Sequence, residues 1–175
     1  MFERLGDKDF AYLTTTGRRT GKEHTIEIVE LAPQRAVVIR RTVPQEGLGA
    51  FFMEIFPKLR GAIRAQGATP SGPRFARYYN GDPKAFDTEA GIPFTGSFML
   101  TGDEIRVTRL PTGRAAKTVH IGPYYTLSQE YRRLEKWLAE EGHRAAEGPW
   151  EVYLDDETKT PEKHLRTEVY WPLVR

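Results

Sequence analysis

Two stretches carry the strongest periodic signal in the chain. Leu48, Phe52, Ile55, Leu59 and Ile63 recur at intervals of three and four, the spacing that gathers apolar side chains on one face of an α-helix, and Leu127, Tyr131, Leu134 and Leu138 repeat the pattern. Gly67 and Gly142 stand just beyond, where a left-handed residue caps a helix end. Pro57 falls inside the first pattern and has no N–H to donate, which predicts a bend or a fresh helical start there. Extended, β-rich runs precede and follow each helical pattern, giving the order strand, strand, helix, strand, strand twice.

The two series look like copies. Arg35-Ala36 and Arg114-Ala115 each follow a Pro-containing turn, Gly-Pro recurs at Gly72-Pro73 and Gly148-Pro149, and Thr88-Glu89-x-x-x-Pro93 recurs as Thr167-Glu168-x-x-x-Pro172. The offset between them drifts only from 75 to 79 residues, which a duplication explains better than chance. Two such units fuse most simply into an α+β fold: one antiparallel sheet, both helices on one face, and a solvated surface or ligand cleft on the other. The copies span about 29–96 and 105–175, within a domain covering 29–175. Residues 1–28 fall outside the duplication and read as an arm or hairpin, with Gly17-Arg-Arg-Thr-Gly21-Lys22 as its turn. That segment resembles the opening of deazaflavin-dependent nitroreductases, but the likeness stops where the first copy begins, and no deazaflavin binding is expected.

Composition narrows the chemistry. At 175 residues, 39% of them hydrophobic, the chain can bury a sizeable core with no disulfide or metal to staple it. The 26 basic and 24 acidic side chains nearly balance, which argues against nucleic acid as the main partner. The absence of Cys removes thiol catalysis, zinc ribbons and iron–sulfur ligation. A charged N-terminal segment, and no apolar run near the roughly 20 residues that span a bilayer, predict a cytoplasmic protein without a membrane partner. Gly17 to Glu23 is one residue short of a phosphate loop, and Gly47-Leu-Gly49 has Phe52 where a dinucleotide fold needs glycine. The four His show no ligand spacing, and none of the three Ser sits in a nucleophile elbow, so neither a metal nor a cofactor is expected.

The remaining candidates lie on the two C-terminal strands, Pro149-Trp-Glu-Val-Tyr-Leu154 and Arg166-Thr-Glu-Val-Tyr-Trp171. Alternation puts Glu151 with Tyr153, and Glu168 with Tyr170, on one face of each strand, and Val152, Leu154, Val169 and Trp171 on the other. With the aliphatic set facing the helices, the helix-free face receives two carboxylates beside aromatic walls. An ordinary wet sheet face explains those glutamates equally well. Tyr124 and Tyr125, after Gly122-Pro123, read either as cleft residues or as plugs for the core.

Ala115-Ala-Lys-Thr-Val-His-Ile-Gly-Pro-Tyr124, Tyr131-x-x-Leu-x-x-Trp137-Leu, Gly148-Pro-Trp-Glu151-Val-Tyr153 and Thr167-Glu168-x-Tyr170-x-Pro172 together resemble GyrI-like proteins. That domain is shared with the effector-binding domains of multidrug-sensing transcription activators. Arg40-Arg-Thr-Val-Pro, Gly49-Ala-Phe-Phe and Gly72-Pro-x-x-Ala-x-Tyr78 extend the likeness over about residues 27–175. The resemblance implies a pseudosymmetric sheet whose cleft takes hydrophobic, often cationic small molecules, with Glu151 at its floor and Glu168, Tyr153, Tyr170 and Tyr124 around it. A carboxylate shielded by rings attracts an organic cation through charge and ring quadrupole together. Some stand-alone relatives hydrolyse cyclopropane-containing natural products, which here would use Glu151 as base and the hydroxyl of Tyr153, Tyr124 or Tyr170 to polarise the electrophile, the sequence not choosing among the three. Others bind DNA gyrase, so a protein partner is the third expectation. Direct DNA binding is not expected, because residues 1–28 are too few and too strand-like for a helix-turn-helix.

Overall fold

The computed structural model describes residues 25–100, 102–146 and 148–174. The arm or hairpin expected over 1–28 lies, through residue 24, outside the described residues. From there the chain runs β1 (Ile26–Leu31), β2 (Arg35–Val43), α1 (Leu48–Ala65), a two-residue β3 (Thr69–Pro70), β4 (Phe75–Tyr78) and β5 (Phe86–Thr95). It continues as β6 (Arg106–Arg109), β7 (Gly113–Ile121), α2 (Leu127–Glu140), β8 (Trp150–Tyr153) and β9 (Arg166–Pro172). Apart from β3, each half is strand, strand, helix, strand, strand, as the duplication predicted. Gly67 and Gly142 take φ of 69° and 71°, the left-handed conformation their capping positions require.

Among the described residues, nine strands form one antiparallel sheet in the order β1-β7-β9-β8-β4-β5-β2-β6, with β3 added beside β5. The first strand of each copy is exchanged: β1 pairs with β7 of the second copy, and β6 with β2 of the first. This exchange forces the shape. In a flat sheet β1 and β2 would lie roughly 29 Å apart, at about 4.8 Å per strand. The connection from Leu31 to Arg35 reaches at most about 14 Å, so the sheet must curl. The β1–β2 and β6–β7 connections meet where the Leu110 N–H donates to the Gln34 carbonyl at 2.9 Å.

Both helices pack on one face. Phe51, Ile55, Leu59 and Ile63 of α1 are buried with Val37, Ile39, Ala90 and Ile92, while Leu134, Trp137 and Leu138 of α2 are buried with Ile26, Ala116 and Val169. Helix α1 runs through Pro57 as one element, so no fresh helical start occurs there. The Pro57 ring is exposed, and burial of the opposite side of the helix outweighs one lost backbone bond. The helix-free face is no wet surface: curling buries Ala36, Val38, Phe75, Leu110 and Trp150 against one another there.

The β8–β9 register corrects the expected facing. Glu151 stands opposite Val169, and Val152 opposite Glu168, so the two Glu-x-Tyr motifs are out of phase by one residue. A slip of one reverses every side chain. Glu151 and Tyr153 therefore face the helices, while Glu168 and Tyr170 lie on the far face beside Trp150, whose ring stacks on Tyr170 at 5.1 Å. The cleft is accordingly on the helix-bearing face and not, as expected, on the opposite one.

Candidate functional site

Strands β4 and β8 are the central pair of the sheet, joined in the register Phe75↔Val152, Ala76↔Glu151 and Arg77↔Trp150. One helix stands on each side of this seam, α1 from the first copy and α2 from the second. Between them opens a cavity of about 830 Å³ lined mainly by aromatic side chains, Phe52, Phe56, Tyr78, Tyr124, Tyr131 and Tyr153 among them. Phe52 and Tyr131 occupy equivalent places in the two helical patterns, so each copy supplies a ring to the same space.

Glu151 forms the floor and is only 5% exposed. Three phenols donate to its carboxylate: Tyr153 at 2.8 Å and Tyr78 at 3.4 Å on Oε2, and Tyr131 at 3.0 Å on Oε1. Burial pushes the Glu151 carboxyl above the usual range, opposed by the hydroxyls of Tyr153, Tyr131 and Tyr78 and by the nearby His120. The same burial, with the Glu151 charge adding to it, raises Tyr78, Tyr131 and Tyr153 well above an ordinary phenol. These hydroxyls therefore keep their protons and act as fixed donors.

Rings extend outward from this centre. Tyr124 meets Tyr153 edge-on at 5.4 Å between centroids, Phe52 and Phe56 approach Tyr153 at 6.0 and 6.2 Å, and Trp171 closes on Tyr131 at 6.1 Å. Burial also raises the half-buried Tyr124 phenol. Among the described residues, no three His, Cys, Asp or Glu converge as metal ligands. The chemistry on offer is a single buried acid, three hydroxyl donors and a wide aromatic wall.

Of the residues singled out from sequence, Glu151, Tyr153 and Tyr124 come together here. Glu168 and Tyr170 do not: Tyr170 donates to Glu168 at 2.8 Å, and Lys117 pairs with the same carboxylate at 2.8 Å. Sequence reasoning missed Tyr78 and Tyr131 as partners of the acid. The duplication carried a signal for Tyr131, which replaces Phe52 on the cleft side of its helix; Tyr78 aligns with Leu154 in the register of Gly72-Pro73 and Gly148-Pro149, and the repeat carried none for it.

Comparison with known proteins fits this geometry. The family model for the GyrI-like small molecule binding domain matches residues 24–174. No curated protein matches. The chain is similar to the C-terminal domain of EcmrR, with 22% identity and a TM-score of 0.78 over 87% of this chain and 98% of that one. In the EcmrR–DNA complex the same likeness, at 22% identity and a TM-score of 0.77, covers 87% of this chain but only 58% of that one. A hydrolase from Listeria innocua is 14% identical, with a TM-score of 0.61 over 85% of this chain and 91% of that one. SAV2435, solved bound to tetraphenylphosphonium, is 15% identical, with a TM-score of 0.54 over 85% and 93%. At these identities the likeness is one of fold.

Proposed function

The chain belongs to the GyrI-like family of small-molecule-binding domains, and we propose that its cleft binds hydrophobic aromatic cations for sensing, sequestration or detoxification, with Glu151 as the point of charge recognition. One observation carries this reading: a buried carboxylate, held by three phenols, at the floor of an aromatic cavity of about 830 Å³. That volume suits a drug-sized molecule. Burial strengthens the attraction between Glu151 and a cation that excludes water, and the ring faces add their quadrupoles. Affinity then comes chiefly from apolar contact, and preference for positive charge from Glu151. SAV2435, which shares the fold, was solved with a ligand of this kind, tetraphenylphosphonium.

Titration calorimetry with tetraphenylphosphonium tests the reading. The wild type should bind it saturably, and Glu151→Gln should weaken binding by about thirtyfold or more, as when one partner of a buried charge pair is removed. Undiminished affinity in the variant would exclude Glu151 as the recognition point.

The raised carboxyl of Glu151 beside the Tyr153 hydroxyl favours a second reading, hydrolysis of cyclopropanoid electrophiles in the same cleft. Glu151 would take a proton from water, whose oxygen bonds to a ring carbon as the strained C–C bond breaks. Tyr153 would turn its hydroxyl from Glu151 to donate to the carbonyl oxygen that receives the electron pair. Product analysis with a cyclopropyl ketone separates the two readings: turnover lost in both Glu151→Gln and Tyr153→Phe supports the hydrolase, and unchanged substrate supports the binder.

A further inference from the structure

The cleft already holds a positive charge of its own. Arg74, just ahead of β4, places its guanidinium over the rings of Phe56 and Tyr153, 5.2 and 5.8 Å from their centroids. It is ion-paired with Glu157 of the β8–β9 connection and is 19% exposed. Glu157 also accepts from the Tyr124 hydroxyl at 3.5 Å, so three separate segments are tied across one wall. Arg74, Glu157 and Tyr124 all line the cavity. Tyr153 thereby joins two poles, its hydroxyl bound to Glu151 and its ring beneath Arg74.

An organic cation lying on this wall would meet a like charge at the ring faces that cation–π contact uses. A guanidinium does not lose its proton in proteins, so pH does not relieve the repulsion. We propose that Arg74 is the specificity-determining residue of the cleft, permanently holding one cation-over-ring position. On the ligand-binding role proposed above, the cleft then admits aromatic ligands with one positive centre, seated at the Glu151 pole, and refuses dications. Glu157 sets the strength of this selection, because its carboxylate offsets the charge that a ligand meets at Arg74.

Tetraphenylphosphonium and tetraphenylborate are nearly the same size and shape and opposite in charge. The ratio of their dissociation constants therefore reports charge preference with the apolar contribution cancelled. We would measure it by titration calorimetry in a sodium buffer on the wild type and on Arg74→Gln, Arg74→Lys, Glu157→Gln and Glu151→Gln. A unit charge about 10 Å away, at an effective dielectric constant of about 20, changes each ion's affinity about tenfold, in opposite directions for cation and anion, and so their ratio about a hundredfold. Arg74→Gln should move the ratio about a hundredfold toward the cation and admit a bis-quaternary dication, Arg74→Lys should restore the wild-type ratio, and Glu157→Gln should move it toward the anion. A structural disturbance would weaken both ions alike. An unchanged ratio in Arg74→Gln overturns the selector. A ratio that responds to Arg74→Gln but not to Glu151→Gln overturns only the role given to Glu151, and failure of every protein to bind either ion overturns both.

Discussion

Glu151 is pulled two ways: burial penalises its charge, and three phenols stabilise it. Burial wins, so the carboxyl holds its proton to a higher pH than an exposed glutamate. A cation needs the charged form, so affinity for tetraphenylphosphonium should fall as pH drops through a midpoint above 4.5, and the midpoint should disappear in Glu151→Gln. Stability has the opposite sign. A raised folded pKa means that the native state keeps a proton the unfolded chain releases, so this group's contribution is full below the unfolded pKa and lost as pH rises through the folded one. Glu151→Gln should therefore have a Tm at pH 7 no lower than the wild type, with any advantage shrinking in acid. A markedly lower Tm at pH 7 would mean that the phenols outweigh burial. Glu151 was legible in the sequence because it sits in a recognisable Pro-x-Glu-x-Tyr motif. Tyr78 was not, and Tyr131 only as the counterpart of Phe52 rather than as a partner of the acid, because they reach it from another strand and a helix, a convergence that only the β4–β8 seam and the packing of α2 create.

Strand phase is where the reading of the sequence failed among the elements. Both Glu-x-Tyr motifs alternate correctly within their strands, but alternation along one strand says nothing about the register of the next. Apolar content could not arbitrate either, because curling buries both faces: Val152 packs on the far side with Phe75 and Trp150, and Val169 on the helix side with Leu134. Gly91 records how close the far-side packing is. A methyl there would lie 2.6 Å from Cε1 of Phe75 and 2.7 Å from Cγ1 of Val38, so Gly91→Ala should destabilise the fold by about 1–3 kcal/mol in chemical denaturation. No loss would mean that the Phe75 ring has room to move. The helices were the most legible elements, since a face of four or five apolar side chains fixes both type and orientation, and Pro57 could not override it.

Taken whole, the molecule places its aromatic cavity at the seam between the copies, flanked by one helix from each. Binding should therefore stabilise both halves together. A ligand at 100 times its dissociation constant should add about 2.7 kcal/mol, or roughly 5–10 °C in Tm for a chain of this length, as a single shifted transition. Two separated transitions in differential scanning calorimetry would mean that the halves unfold independently. The duplication, and with it the two-helix, antiparallel plan, could be read from ordered motifs alone. The exchange of β1 and β6 could not, because either copy's sequence is equally compatible with pairing at home or away.

The pairing of Ala76 with Glu151 across the seam has one more consequence. Exact twofold symmetry could have set two carboxylates on this central pair, with their backbones only about 5 Å apart. Like charges so close cannot both ionise, and such a pair would share a proton and satisfy itself. With alanine facing it across the seam, Glu151 has no second carboxylate to answer it. The repeat supplies two similar walls, and the place where its halves have ceased to match supplies the valence that a guest can fill.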